Sequence, residues 1–162
     1  MQAKREHRRY ENGAKVWVGR YRNSHNKPHW HYDCELLYVE CGKLELTVNR
    51  ESFCATAGQA VFIAGGQTHQ MQALMPDTEL SMIIFDGDIV KEFAGECTLS
   101  HPLLTGDYGI SETAGEIEAD LKNRALFFQC ETASKIQMLM IKIFRGEEIA
   151  EPRKVSPPER CG

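Results

Sequence analysis

The sequence predicts a mainly β domain, a barrel or sandwich of short strands, followed by a C-terminal pair of antiparallel helices. Short apolar or alternating segments follow one another from residue 14 to residue 85, separated by turn-forming Gly, Pro and Asn. Beyond Phe85 the apolar spacing changes from two to three and four, the helical period. The 162 residues fit one domain with or without a tail. The expected organisation is an N-terminal arm (1–14), the barrel (15–108), the helical pair (109–146) and a polar, Pro-rich linker or tail (147–162).

The arm carries Lys4, Arg5, Arg8 and Arg9 and no apolar stretch, which predicts a loosely docked segment and not a secretory signal. Strands are expected over Ala14–Tyr21, Cys34–Glu40, Lys43–Val48, Ser52–Thr56, Ala60–Ile63, His69–Leu74 and Leu80–Phe85, with Gly42 marking a tight turn. Asp88–Phe93 suggests a short helix, and His101–Gly106 a loop. A first long helix is expected to be capped by Ser111 or Thr113, with Glu116 as a capping-box partner and Ala114, Ile117, Leu121 and Ala125 as its stripe. A second is expected from about Thr132 to Gly146, its stripe being Ile136, Leu139, Met140, Ile143 and Phe144. Met138 and Ile141 add apolar surface off that stripe, and a second subunit is the simplest cover for it. The expected dimer interface or its packing is Ile117, Leu121, Ile136, Leu139, Met140, Ile143 and Phe144.

Composition removes several function classes. Hydrophobic residues make up 42% of the chain, enough for a packed core. No apolar run is long enough for a membrane helix. The net charge of −4 argues against direct nucleic-acid contact by this segment. The six cysteines (Cys34, Cys41, Cys54, Cys97, Cys130, Cys161) form no C-x-x-C pair, so reduced thiols in a cytoplasmic protein are expected. No Ser-His-Asp set, no Cys/His pair at informative spacing and no Gly-rich phosphate loop is present, and no residue is assigned a catalytic role.

One constellation carries chemistry: His29-Trp30-His31, Glu35, and His69 at the end of Ala64-Gly65-Gly66-Gln67-Thr68-His69. His29, His31 and Glu35 share parity, so on an extended strand their side chains face one way, and a strand beginning at His69 can add a fourth group. Two or three imidazoles with a carboxylate suit one divalent ion, Fe, Mn, Ni or Zn. The alternatives are a metal-free site where the same groups bind an organic effector, and core histidines satisfied by hydrogen bonds. Asp33 is either an acceptor for an imidazole N–H or a turn residue. Trp17 and Tyr21 either stack on a flat ligand or serve as core and rim aromatics.

His29-x-His31-x-x-x-Glu35, leading to Gly42, resembles the first cupin motif. Gly58-x-x-x-x-x-Ala64-x-Gly66-x-x-His69 resembles the second, with fifteen residues between Gly42 and Gly58. Asn23 stands where the first motif prefers Gly, and Ala64 and Ala73 where the second prefers Pro and Asn. With the helical pair behind it, the chain from about 15 to 146 resembles the N-terminal effector-binding and dimerisation domain of AraC-type transcriptional regulators. Phrases shared with that group are Glu35-Leu36-Leu37-Tyr38-Val39, Gly58-Gln59-Ala60-Val61-Phe62-Ile63 and His101-Pro102-Leu103-Leu104. The resemblance implies a cupin double-stranded β-helix, a jelly-roll barrel, that binds a small polar effector of sugar or carboxylate type. It also implies a homodimer and DNA contact only through a separate domain; nothing after Gly146 has the length or periodicity of a helix-turn-helix. In some relatives the arm closes over the effector, which gives Lys4, Arg5, Arg8 and Arg9 a candidate role. The competing reading is a free-standing metal-dependent cupin enzyme, an isomerase, lyase or dioxygenase acting on a small polar metabolite.

Overall fold

Nine strands form two sheets that face each other across a common interior, in a computed structural model describing residues 2–7, 10, 13–94 and 97–150. The strands are β1 (Lys4–Arg5), β2 (Val16–Arg22), β3 (His29–Trp30), β4 (Cys34–Cys41), β5 (Lys43–Val48), β6 (Glu51–Thr56), β7 (Ala60–Ile63), β8 (His69–Ala73) and β9 (Glu79–Phe85). One sheet has the order β1-β3-β8-β5-β6 and the other β2-β9-β4-β7. A 3-10 turn (Gly87–Val90) and the short α1 (Lys91–Ala94) lead to α2 (Ile110–Asn123) and α3 (Phe128–Gly146). A small ribbon pairs β10 (Thr98–Leu99) with β11 (Ile149–Ala150). The fold is the expected β barrel of jelly-roll type with a helical pair. No helix among the described residues is long and apolar enough to cross a membrane.

Two apolar clusters lie on opposite faces of the four-stranded sheet. Inside the barrel are Leu37, Val39, Leu44, Leu46, Val48, Met71, Met82 and Ile84. Outside it, Leu36, Phe62, Ile83 and Phe85 pack against Ile110, Ala114, Ile117, Ile136, Leu139, Met140 and Ile143 of the helices. A strand covered on both faces shows no alternation, which is why Cys34-Glu35-Leu36-Leu37 is buried throughout. The helical stripe, expected to carry a dimer or its packing, packs within the chain. Ile117, Ile136, Leu139, Met140 and Ile143 are buried within the chain, with Leu121 and Phe144 partly buried beside them. These residues are spent on the barrel. The apolar side chains left exposed near them are Leu126, Phe127 and Met138.

Other differences have local causes. The arm is an edge strand in part: β1 runs parallel to β3, with Lys4 beside His29 and Arg5 beside Trp30. Arg8 and Arg9 lie outside the described residues. No side chain caps α2 or α3; the residues before them, Gly109 and Phe127, take left-handed backbone. Ser111 instead donates to Glu40 Oε1 at 2.6 Å, as Ser81 does at 2.5 Å, tying the start of α2 to the sheet. α3 begins a turn before Thr132, whose hydroxyl donates to the carbonyl of Phe128. The expected loop at His101–Leu104 runs along β7: Phe62 N–H donates to Pro102 O, and Leu104 N–H to Ala60 O. Gly42 turns the chain at φ +88°, and a Cβ there would sit 2.3 Å from Thr78 Oγ1 and 2.7 Å from its Cα. Asn23 also has positive φ, 53°, and its side chain accepts from Thr78 N–H, so an Asn serves at a position that would suit Gly.

Candidate functional site

His29 opens β3 and is the cross-strand partner of His69, the first residue of β8. After Trp30 the chain leaves the five-stranded sheet, and at Cys34 it enters the other one. His31 lies in that crossing, and Glu35 is the second residue of β4. The equal parity of His29, His31 and Glu35 is therefore not that of one strand. The side chains meet because the crossing brings the two sheets' inner faces together.

One ring nitrogen from each of His29, His31 and His69 lies within 4.8 Å of the others, and all three residues are buried. Glu35 is 2% exposed. Its Oε2 stands 3.1 Å from His31 Nε2 and 3.3 Å from His69 Nε2. Each imidazole is oriented by a backbone carbonyl at 2.9 Å: Lys27 O for His29 Nδ1, Asp33 O for His31 Nδ1, Gln67 O for His69 Nδ1. A carbonyl only accepts, so each Nδ1 carries a proton and each neutral ring presents a bare Nε2. Asp33 thus does orient an imidazole, through its carbonyl; its carboxylate accepts from the Tyr10 hydroxyl.

Three Nε2 lone pairs and a carboxylate facing one another repel unless protons or a cation join them. A proton on His31 satisfies part of the set. Burial works to lower the His31 pKa, but the hydrogen bond and charge of Glu35 outweigh it, and the net shift is upward. Burial likewise works to raise that of Glu35, and the His31 hydrogen bond together with the closeness of both His31 and His69 holds it down at about 2. His69 Nε2 remains buried without a hydrogen bond; its 3.3 Å approach to Glu35 is close but not aligned. A lone pair left orphaned beside a carboxylate fits a divalent cation better than a second proton. The residues present therefore suit a metal, with His29, His31, His69 and Glu35 as the side chains that would hold it.

A cavity of about 330 Å³ opens on His29, His31 and Glu35 of this cluster, its other walls formed by polar Glu6, Tyr21, Arg22, Ser24, His25 and Asn26 and apolar Met71, Met82 and Ile84. Tyr21 is one of the two aromatics that the sequence offers for a flat ligand, whereas Glu6, Arg22 and His25 give no site signal; the arm's pairing and the β2 edge bring them there. Trp17 stacks at 5.8 Å on Tyr21 and does not itself line the cavity. A larger cavity of about 820 Å³ lies outside the barrel, between Cys34 and Phe62 on the sheet and Phe144 of α3. Size does not make it the better candidate, since His29, His31 and Glu35 line the smaller one. Burial raises the Cys34 thiol to about 11, which leaves it protonated and unreactive.

The AraC-like ligand binding domain matches this chain over residues 18–138. The chain belongs to that family. A search of the curated proteins found no match. Solved structures similar to part of it include Bacillus subtilis oxalate decarboxylase, studied for its Mn(II) centres, at 24% identity and a TM-score of 0.41, covering 46% of this chain and 22% of that one. The same enzyme at pH 4.6 is similar at 23% identity and 0.40, covering 46% and 22%. A conserved Streptococcus pyogenes protein of unknown function is similar at 13% and 0.42, covering 44% and 65%. This chain thus spans about a fifth of the length of the decarboxylase chains, and likenesses at this level say nothing about activity.

Proposed function

We propose that this AraC-like domain senses a small polar effector in the mouth of its barrel, at a divalent metal held by His29, His31, Glu35 and His69. The observation that carries the reading is the set of three carbonyl-oriented imidazoles with the Glu35 carboxylate beside them, of which His29, His31 and Glu35 line the 330 Å³ cavity. Four protein ligands leave open positions on an octahedral ion, which supply a Lewis-acidic point for effector oxygens. Fe, Mn, Ni and Zn all suit imidazole with carboxylate. Arg22, Ser24, His25 and Asn26 offer donors around that point, in keeping with a sugar- or carboxylate-type ligand.

Regulation would follow from a population shift: an effector favours one arrangement of arm, linker and dimer over another. DNA contact would belong to a separate domain. Exposed Leu126, Phe127 and Met138 support a homodimer along the outer side of the helical pair. A second reading, a metal-dependent cupin enzyme, is favoured by the intact ligand set. A native mass spectrum of protein purified without chelator tests both. A metal-bearing or effector-bearing dimer is the expected result. A monomer with neither metal nor passenger overturns the sensor, and a metal-bearing monomer that turns over a metabolite establishes the enzyme.

A further inference from the structure

We propose that Glu6, carried by the N-terminal strand, is an exchangeable fifth ligand of the metal centre, and that small carboxylates bind by taking its place. This rests on the metal reading above. The arm is held over the barrel mouth by β1, by Lys4 N–H donating to Pro28 O at 3.2 Å, and by Glu6 N–H donating to Trp30 O at 2.8 Å. Arg5 adds a cation–π contact, its guanidinium 4.8 Å from the Tyr32 ring and 5.5 Å from that of Trp30. These contacts bring the Glu6 carboxylate into the cavity that contains His31 and Glu35, with Oε2 4.0 Å from His29 Nε2.

Two acceptors face each other at that point. His29 gives its Nδ1 proton to Lys27 O, so its Nε2 is a lone pair, and the nearby oxygen belongs to a carboxylate. A shared cation resolves the arrangement. Ligand atoms bound at about 2.0–2.2 Å lie no more than about 4.4 Å apart across one ion, and 4.0 Å falls within that limit. Unlike Glu35, Glu6 is about half exposed (49%) and follows directly on a two-residue edge strand. It is the ligand with the least holding it in place. A free carboxylate offers the metal the same oxygen donors, so carboxylate binding and release of the arm become one event.

The test uses the full chain, wild type and Glu6→Gln, titrated calorimetrically with Co(II) and then, once loaded, with malonate. The amide keeps size and strand pairing but removes the charged donor. The expected result is about tenfold weaker Co(II) binding by Glu6→Gln, the low end for a group supporting a metal site. Malonate should bind the loaded variant about tenfold more tightly, because its competitor is gone. In wild type it should speed hydrogen exchange at the Glu6 amide. Co(II) and malonate affinities within twofold in the two proteins overturn the role of Glu6 while leaving the metal centre standing. Failure of wild type to bind Co(II) overturns both.

Discussion

Replacing His69 with leucine separates the metal-free and metal-bound states of the site. In the metal-free protein His69 Nε2 is buried and unpartnered, a cost of about 1–3 kcal/mol. Leucine removes that cost, and also the Nδ1 hydrogen bond to Gln67 O, worth about 1 kcal/mol. In chelator His69→Leu should therefore match wild type or exceed it by up to about 2 kcal/mol. For a domain of this size that is a rise in Tm of up to about 4–8 °C. With metal the order reverses. An ion at a hundred times its Kd stabilises the wild type by about 2.7 kcal/mol, or about 5–10 °C. A variant lacking one of four side-chain ligands should shift by less than about 2 °C. Thermal melts in EDTA, and again with Mn(II) or Zn(II), measure both effects. A variant that melts several degrees below wild type in EDTA yet keeps the full metal shift would refute the reasoning.

Further outcomes are expected. The His31–Glu35 pair makes metal-free stability pH-dependent: the raised His31 pKa gives a contribution present below 6.5 and lost as pH rises through the raised value, while the depressed Glu35 pKa gives one present above 4.5 and lost as pH falls toward about 2. The pair is thus fully formed between about pH 4.5 and 6.5, and metal affinity should climb above that window as the ion no longer displaces a proton from His31; calorimetry showing flat affinity from about pH 6 to 8.5 would count against this. Gly42→Ala should destabilise by about 2–4 kcal/mol, from strain at positive φ and overlap with Thr78, read as a drop in urea midpoint at unchanged m. Ile136→Ala should cost about 2–5 kcal/mol independently of protein concentration, because Ile136 is buried within the chain. Met138→Asp should leave the unfolding midpoint of the monomer nearly unchanged and shift the sedimentation profile toward it; a dimer unaffected by this change is not using that face.

Much of the fold was legible because most strands are half-buried or bounded by turns. Lys43–Val48 alternates since one side faces the barrel interior and the other is more open to solvent. The β4 strand defied periodicity because helices cover its outer face. The helix stripes were legible, but their partner was not: spacing of three and four says that a face is apolar, and the sheet and a second subunit satisfy it equally. The capping residues misled because Ser111 finds Glu40 across the chain, a contact made only once the sheet and α2 meet.

By itself the sequence determined which side chains can bind a cation, and at which turns the chain must reverse. Donor type is a property of the residue, and turn geometry is local to a few residues. Tertiary structure alone decided that His31 reaches the cluster from a crossing between sheets, that three carbonyls orient the Nε2 atoms inward, and that Glu6 arrives from an edge strand. Those contacts join atoms whose positions depend on strand pairing and sheet packing, and no window along the chain contains them.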